Sequence, residues 1–327
     1  MKATMAFVAL IVSACAGPEP DPIVEPTPKP VPGDTCAVAR PDLGPPATQA
    51  DLSQFAYDAN APLNLQKKVE STGGGVEFSG ISYDSPAGGR VPGILVSPVN
   101  RSSLRPAIIL MHGAPGSSRD GWLIDYARTY ADYGAVVIAI DAPFARRSNF
   151  NATVTMTKQD RVEQIQLMKD LQRAVDVLRA QPNVDEDRIA YVGVSYGGAM
   201  GVQFAAIEHR IKAAALVVAN GGWVTRHTQA GDLPFMASLS CATRVAWFRE
   251  MIPIEPIRFI GFAKGTPLLL QNGRMDEAVL QADAQVLHDA APEPKKTFWY
   301  NAGHNLTQQA VFDRHDWLVQ QIGLDPR

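Results

Sequence analysis

The stretch of this 327-residue chain best suited to chemistry is Gly193-Val194-Ser195-Tyr196-Gly197-Gly198. It follows the apolar run Ile189 to Val194 and precedes a helical pattern. A serine between two such glycines, in a turn from buried strand to helix, sits exposed in a strained conformation, where its hydroxyl can attack a carbonyl. Glycines at 193 and 197 fit because side chains there would clash in so sharp a turn. The bland alternative is a glycine-rich turn with an incidental serine. Ser195 is the expected nucleophile, and the helix start beyond it adds positive potential where negative charge develops.

A serine hydroxyl is a weak nucleophile until a base removes its proton. In sites built on this turn the acid and then the histidine follow the serine in the chain. Of the six histidines, His288, His304 and His315 lie near the C-terminus. His288 and His315 fall inside helical patterns, whereas His304 closes the loop Asn301-Ala302-Gly303 after the strand pattern Thr297 to Tyr300. His304 is the expected base. Asp276 is the expected acid, in the loop after Leu268 to Leu270, with Glu277 as its neighbour and competitor and helix capping as its ordinary alternative duty. Acyl transfer also needs two donors for the developing oxyanion. The expected pair is the backbone N–H of Tyr196 and that of Ala114, in Met111-His112-Gly113-Ala114-Pro115-Gly116. His112 reads as a brace for that loop.

Asp141 to Arg147 follows another strand and opens on the edge where ligands bind in α/β sheets. Phe144 is a candidate pocket wall, Arg146 or Arg147 a candidate for an acidic substrate group against the commoner reading of a local ion pair, and Trp223 a further wall.

These residues need a frame. Continuous apolar runs at Ala107 to Met111, Ala135 to Ile140, Ile189 to Val194 and Ala213 to Ala219 read as strands buried on both faces. Val76 to Tyr83, Val91 to Ser97, Leu268 to Leu270 and Thr297 to Tyr300 add four more. Helical patterns alternate with them at Gly121 to Tyr133, Thr157 to Ala180, Gly198 to Glu208, Asp276 to Ala290 and Leu306 to Gln321. The clearest carries Ile165, Met168, Leu171, Val175 and Leu178 on one stripe. The class is α/β, with a mostly parallel central sheet and helices on both faces. Gly222 to Gly265 breaks the alternation and reads as a helix with loops between two strands, or else as a small cap.

The N-terminus reads as leader rather than fold. Residues 1–14 form a signal peptide, with Lys2 before an apolar run too short to span a bilayer. Val12-Ser13-Ala14-Cys15 resembles the lipobox of bacterial lipoproteins, which makes Cys15 the lipidation site; ordinary cleavage after a small-x-small pattern would release a soluble protein instead. Residues 15–33 are a proline-rich tether, 34–75 an N-terminal wrapping segment, and 76–327 the catalytic domain. The expectation is an exported, lipid-anchored envelope protein, in the outer membrane if there are two, or a soluble secreted or periplasmic one. In an oxidising compartment Cys36 and Cys241 can pair; the alternative is a buried Cys241 and a free Cys36. Net charge is −3 without a basic stripe, which speaks against nucleic acid as partner.

Together the Ser195, Asp276, His304 and Ala114 motifs resemble the α/β-hydrolase superfamily over residues 76 to 322. Asp187 to Gly198 is similar to the dienelactone hydrolase, acetyl esterase and prolyl oligopeptidase-like group. Serine in place of cysteine separates the chain from true dienelactone hydrolases, and the segment after the tether is too short for the β-propeller of prolyl oligopeptidases. The resemblance implies a serine esterase acting through an acyl-enzyme on small-molecule esters, with no metal or other cofactor. A peptidase or amidase is the rival of the same class, and a non-catalytic envelope binding module the rival of another.

Overall fold

The computed structural model describes residues 40–99, 103–148 and 152–327, all within the unit Cys36–Arg327. Nine strands form one sheet: β1 (Gln66–Gly73), β2 (Val76–Asp84), β3 (Arg90–Pro98), β4 (Arg105–Met111), β5 (Val136–Ile140), β6 (Val184–Val194), β7 (Ala213–Val217), β8 (Leu268–Gly273) and β9 (Lys295–Tyr300). Their order across the sheet is β1-β2-β3-β5-β4-β6-β7-β8-β9. β1, β2, β3 and β5 pair antiparallel in succession, and every pairing from β5 through β4 to β9 is parallel. This is the α/β-hydrolase fold. The parallel strands all point their carboxyl ends to one edge, so the loops after β4, β6, β7, β8 and β9 meet there.

The apolar runs become central strands because both of their faces are covered. In β4, Ile109 and Met111 join one core cluster and Ile108 and Leu110 the other. The first cluster is closed by α2 (Lys158–Arg179) and α3 (Tyr196–Ile207), through Leu167, Leu171, Met200 and Phe204. The second is closed by α1 (Gly121–Asp132) and α8 (Gln308–Ile322), through Leu123, Ala127, Trp317 and Leu318. The stripe on α2 packs on the sheet, and its first turn is capped by Thr157, whose side chain accepts from Gln159 N–H.

Two segments differ from the expectation. The end of the 34–75 segment does more than wrap the domain edge: Gln66 to Gly73 is a ninth strand, exposed along its length and paired only with β2. An edge strand whose residues all stay exposed, and whose side-chain contacts are ion pairs such as Glu70–Arg119, carries no hydrophobic period to read. Before it, a 3-10 turn at Gln49–Phe55 buries Phe55 edge-on against Phe259 at 5.5 Å. The second segment is Gly222 to Gly265. It consists of α4 (Trp223–His227), α5 (Leu233–Ser238) and α6 (Cys241–Met251) with short 3-10 turns between and after them. The last helix before β9 is α7 (Gln281–Ala290). Cys241 opens α6 and is disulfide-bonded. Its expected partner Cys36, the expected anchor Cys15, the leader and the tether lie outside the described residues. Among the described residues no helix is long and apolar enough to cross a membrane.

Candidate active site

β6 ends at Val194 and α3 begins at Tyr196, so a single residue makes the turn. That residue, Ser195, has φ 58 and ψ −115. A non-glycine residue held in such a conformation costs about 1–3 kcal/mol and persists only where its surroundings fix it. Here they do. Ser195 N–H donates to Val217 O at 2.9 Å, and Gly197 N–H to His112 O at 3.1 Å. Underneath, the buried Tyr191 hydroxyl donates to Gly197 O at 2.6 Å. The glycine requirement is steric: a Cβ on Gly193 would lie 2.2 Å from Gly197 O, and one on Gly197 2.4 Å from Met111 O.

His304 reaches this turn from the loop after β9. Its Nε2 lies 3.0 Å from Ser195 Oγ, and its Nδ1 lies 2.8 Å from Asp276 Oδ2 and 3.1 Å from Oδ1. A carboxylate only accepts, so Nδ1 carries the proton and Nε2 presents its lone pair to the serine hydroxyl. The Asp276 side chain is fully buried while that of His304 is 32% exposed. Asp276 Oδ1 also accepts from Ala278 and Val279 N–H at 2.8 and 2.9 Å, which fixes the carboxylate's orientation. The helix-capping alternative does not describe it, because α7 starts only at Gln281.

The loop after β4 closes the other side. The position of a Cβ on Gly113 is 3.4 Å from Ser195 Cβ, so the loop lies against the serine. Ala114 lines the same cavity as Ser195 and Tyr196. Among the described residues the Ala114 and Tyr196 N–H groups donate to no protein acceptor, unlike those of Ser195 and Gly197 beside them. His112 braces the loop as expected of it: Ala142 N–H donates to its Nε2 at 3.0 Å, so its Nδ1–H donates to Gly113 O at 2.6 Å. Burial holds its imidazole below the ordinary histidine range and keeps it neutral.

The cavity in front of Ser195 and His304 has a volume of about 500 Å³. Trp223 lines it. Two other candidates require correction. Phe144 packs behind the wall, edge-on to Tyr196 at 5.2 Å and to His112 at 5.7 Å, and does not reach the cavity. Arg146 turns back into the fold, where its Nη1 pairs with the buried Asp170 at 2.7 Å and its Nε and Nη2 donate to Asp141 O. That commitment leaves no guanidinium face for a substrate. Arg147 is likewise paired, with Glu163.

α4 and its neighbours bring in residues that the sequence did not single out for the site. Arg226, His227, Asp232 and Phe235 line the cavity, so this segment walls the site as well as connecting β7 to β8. His227 stacks on Trp223 with ring centroids 5.4 Å apart at 14°, and its Nδ1–H donates to Asp232 Oδ2 at 3.0 Å. Arg226 pairs with Asp232 Oδ1 at 2.6 Å. Burial pushes the Asp232 carboxyl up, but the bonds from His227 and Arg226 outweigh it and hold it below the usual carboxylate range. The wall is therefore aromatic, with its charges internally neutralised. The only sequence signal was an aromatic and charged run directly after a strand. Among the described residues no group of three or more His, Cys, Asp or Glu is placed to hold a metal ion.

The model of the acetyl xylan esterase (AXE1) family matches residues 54–219, from the strands before the sheet centre through the nucleophile turn. The chain belongs to the acetyl xylan esterase (AXE1) family. The prolyl oligopeptidase family model matches residues 155–313, which include Ser195, Asp276 and His304. The AXE1-family chain is thereby placed among serine hydrolases of ester or peptide type. Its fold is similar to an acetyl xylan esterase from Paenibacillus sp. R4, with TM-score 0.69 and 19% identity over 86% of this chain and 97% of that one. It is also similar to acetyl xylan esterase 1 from Thermoanaerobacterium sp. JW/SL YS485, with TM-score 0.70 and 15% identity over 85% and 95%. A curated relative, the uncharacterized protein PA2218 of Pseudomonas aeruginosa, is 26% identical over 167 residues, half of this chain. That match spans 43% of the relative's length.

Proposed function

We propose that the chain hydrolyses carboxylic esters through an acyl-enzyme on Ser195, with His304 as general base and acid and Asp276 as its orienting carboxylate. The observation that carries this reading is the continuous path from Asp276 through both ring nitrogens of His304 to Ser195 Oγ, with steps of 2.8 and 3.0 Å. His304 Nε2 takes the hydroxyl proton as Oγ adds to the ester carbonyl carbon. The Tyr196 and Ala114 amides receive the oxyanion. The intermediate collapses, the carbon–alkoxy bond breaks, and the alkoxy oxygen leaves with the proton from His304. Water, deprotonated by the same nitrogen, attacks the acyl-enzyme; the acid is released and Oγ recovers its proton. Apart from the ester and that water, these steps use side chains and amides of the chain itself.

Family membership and the names of the two acetyl xylan esterases favour acetyl esters as first substrates. The prolyl oligopeptidase match favours a peptidase as second reading. A panel of 4-nitrophenyl and carbohydrate acetates against peptide 4-nitroanilides separates them: kcat/KM is larger for the acetates, whereas turnover confined to the anilides refutes the ester reading and turnover of neither supports a binding module.

The lipid anchor at Cys15 and the Cys36–Cys241 disulfide belong to the same proposal. An exported enzyme on a proline-rich tether works at a membrane surface, and the bridge fastens the segment after the tether to α6. Detergent partitioning and intact mass of the exported protein, compared with Cys15→Ser, test the anchor. Non-reducing peptide mapping tests the bridge.

A further inference from the structure

β7 leaves the sheet beside the nucleophile turn, and the next residues are built at an energetic disadvantage. Val218 has φ 45, a left-handed conformation that a β-branched side chain resists. It is held there by its N–H, which donates to Gln271 O at 2.7 Å, and Ala219 O accepts from Asn272 Nδ2 at 3.1 Å. Asn220 follows, 2% exposed, on the wall of the cavity that holds Ser195 and His304. Its Oδ1 accepts from Gly222 N–H at 3.1 Å, and this sets which way the amide faces. Its Nδ2, with two N–H donors, has no acceptor among the described residues.

A buried donor without an acceptor destabilises a fold, because water served it in the unfolded chain. Strain and an orphaned donor within three residues of one another, on a turn touching the active cavity, mark a site kept for its ligand rather than for stability. An amide N–H seeks an oxygen. The neighbouring Arg226 charge is balanced by Asp232, so the cavity offers no net charge to an anionic substrate.

We infer that Asn220 is a substrate-binding residue whose Nδ2 donates to an acceptor oxygen in the uncharged alcohol part of the ester. This rests on the reading of Ser195 as the nucleophile of an esterase. The donor lies outside the scissile bond's machinery, so it binds substrate and transition state alike and acts on KM more than on kcat.

The test uses a matched pair of esters, 2-methoxyethyl acetate and butyl acetate, which differ by one ether oxygen in place of a methylene. The wild-type enzyme shows a KM at least about tenfold lower for the methoxy ester, although the butyl ester is the more apolar, since a site with a waiting donor discriminates against the analogue that lacks its acceptor. In Asn220→Leu the ratio of the two KM values collapses toward one, and a modest fall in Tm accompanies it because Gly222 N–H loses its acceptor. Equal KM values in the wild type overturn the inference without any variant. So does a folded Asn220→Leu enzyme that keeps the wild-type ratio. Ser195→Ala separates the two claims: if it still turns over both esters, the reading of Ser195 fails while the KM ratio still reports on Asn220. If the wild type turns over neither ester, both fall together.

Discussion

The carboxylate of Asp276 is fully buried 2.8 Å from Nδ1 of His304, and two backbone amides hold it there independently of the histidine. The carboxylate is thus oriented whether or not substrate is present. Asp276→Asn puts an amide where only an acceptor serves, and the imidazole then prefers the wrong tautomer. We expect kcat to fall by roughly 10⁴-fold. Steady-state kinetics with circular dichroism to verify folding check this.

Two buried groups elsewhere shape stability against pH with opposite signs. Burial lowers His288 to about 4; its Nε2–H donates to Asn272 Oδ1 and its ring lies 4.6 Å from that of Trp299. The unfolded chain therefore binds its proton first, and stability of up to about 3 kcal/mol, present above the unfolded value near 6.5, is lost as pH falls toward 4. Burial raises Glu255 to about 7, although its carboxylate accepts from Val224 and Thr225 N–H. Here the folded chain holds the proton longer, so stability falls as pH rises from 4.5 to 7. Glu255→Gln removes that second slope. Tm measured across this range, wild type minus variant, decreases as pH rises; a constant difference contradicts the assignment.

Tyr191→Phe deletes the hydroxyl under the nucleophile turn and leaves Gly197 O buried without that donor. The expected loss is about 1–3 kcal/mol of stability, read by denaturant unfolding. A drop in kcat accompanies it, since the same bond steadies the residue next but one to Ser195.

Gly197→Ala is harsher. Its Cβ would meet two carbonyl oxygens, Met111 O at 2.4 Å and His112 O at 2.8 Å, and backbone cannot swing aside like a side chain. We expect a loss of at least about 2 kcal/mol together with near-complete loss of turnover. Thermal melting and ester assays of the purified variant decide it.

The parts legible in the sequence were those with local signatures. β4, β5, β7 and the second half of β6 are short apolar runs because both faces are covered, and α2 shows an apolar stripe where it packs on the sheet, while polar side chains such as Gln164 and Asp170 fill its other buried positions. Ser195, Asp276 and His304 were legible because each follows a strand whose carboxyl end opens on one edge. β1 was not, since an exposed edge strand needs no pattern, and its register shift between Val69 and Ser71 breaks even simple alternation. Phe144 and Arg146 lie on the expected loop and face away from the cavity: Arg146 is turned by a buried carboxylate on α2, and Phe144 by its packing on His112 and Tyr196, and such tertiary pairings leave no mark in the loop's own residues. The wall built by Arg226, His227 and Asp232 was invisible for a related reason: its pairings depend on how short helices turn, and helices of five or six residues leave no period to detect.

Whether Ser195 is the nucleophile and His304 activates it decides the proposed function. The most direct measurement is covalent labelling by a fluorophosphonate, with the modified residue located by peptide mass spectrometry. We expect one adduct, on Ser195, absent from Ser195→Ala and strongly slowed in His304→Ala. Labelling of Ser195→Ala at the wild-type rate, or an adduct on any other residue, contradicts it.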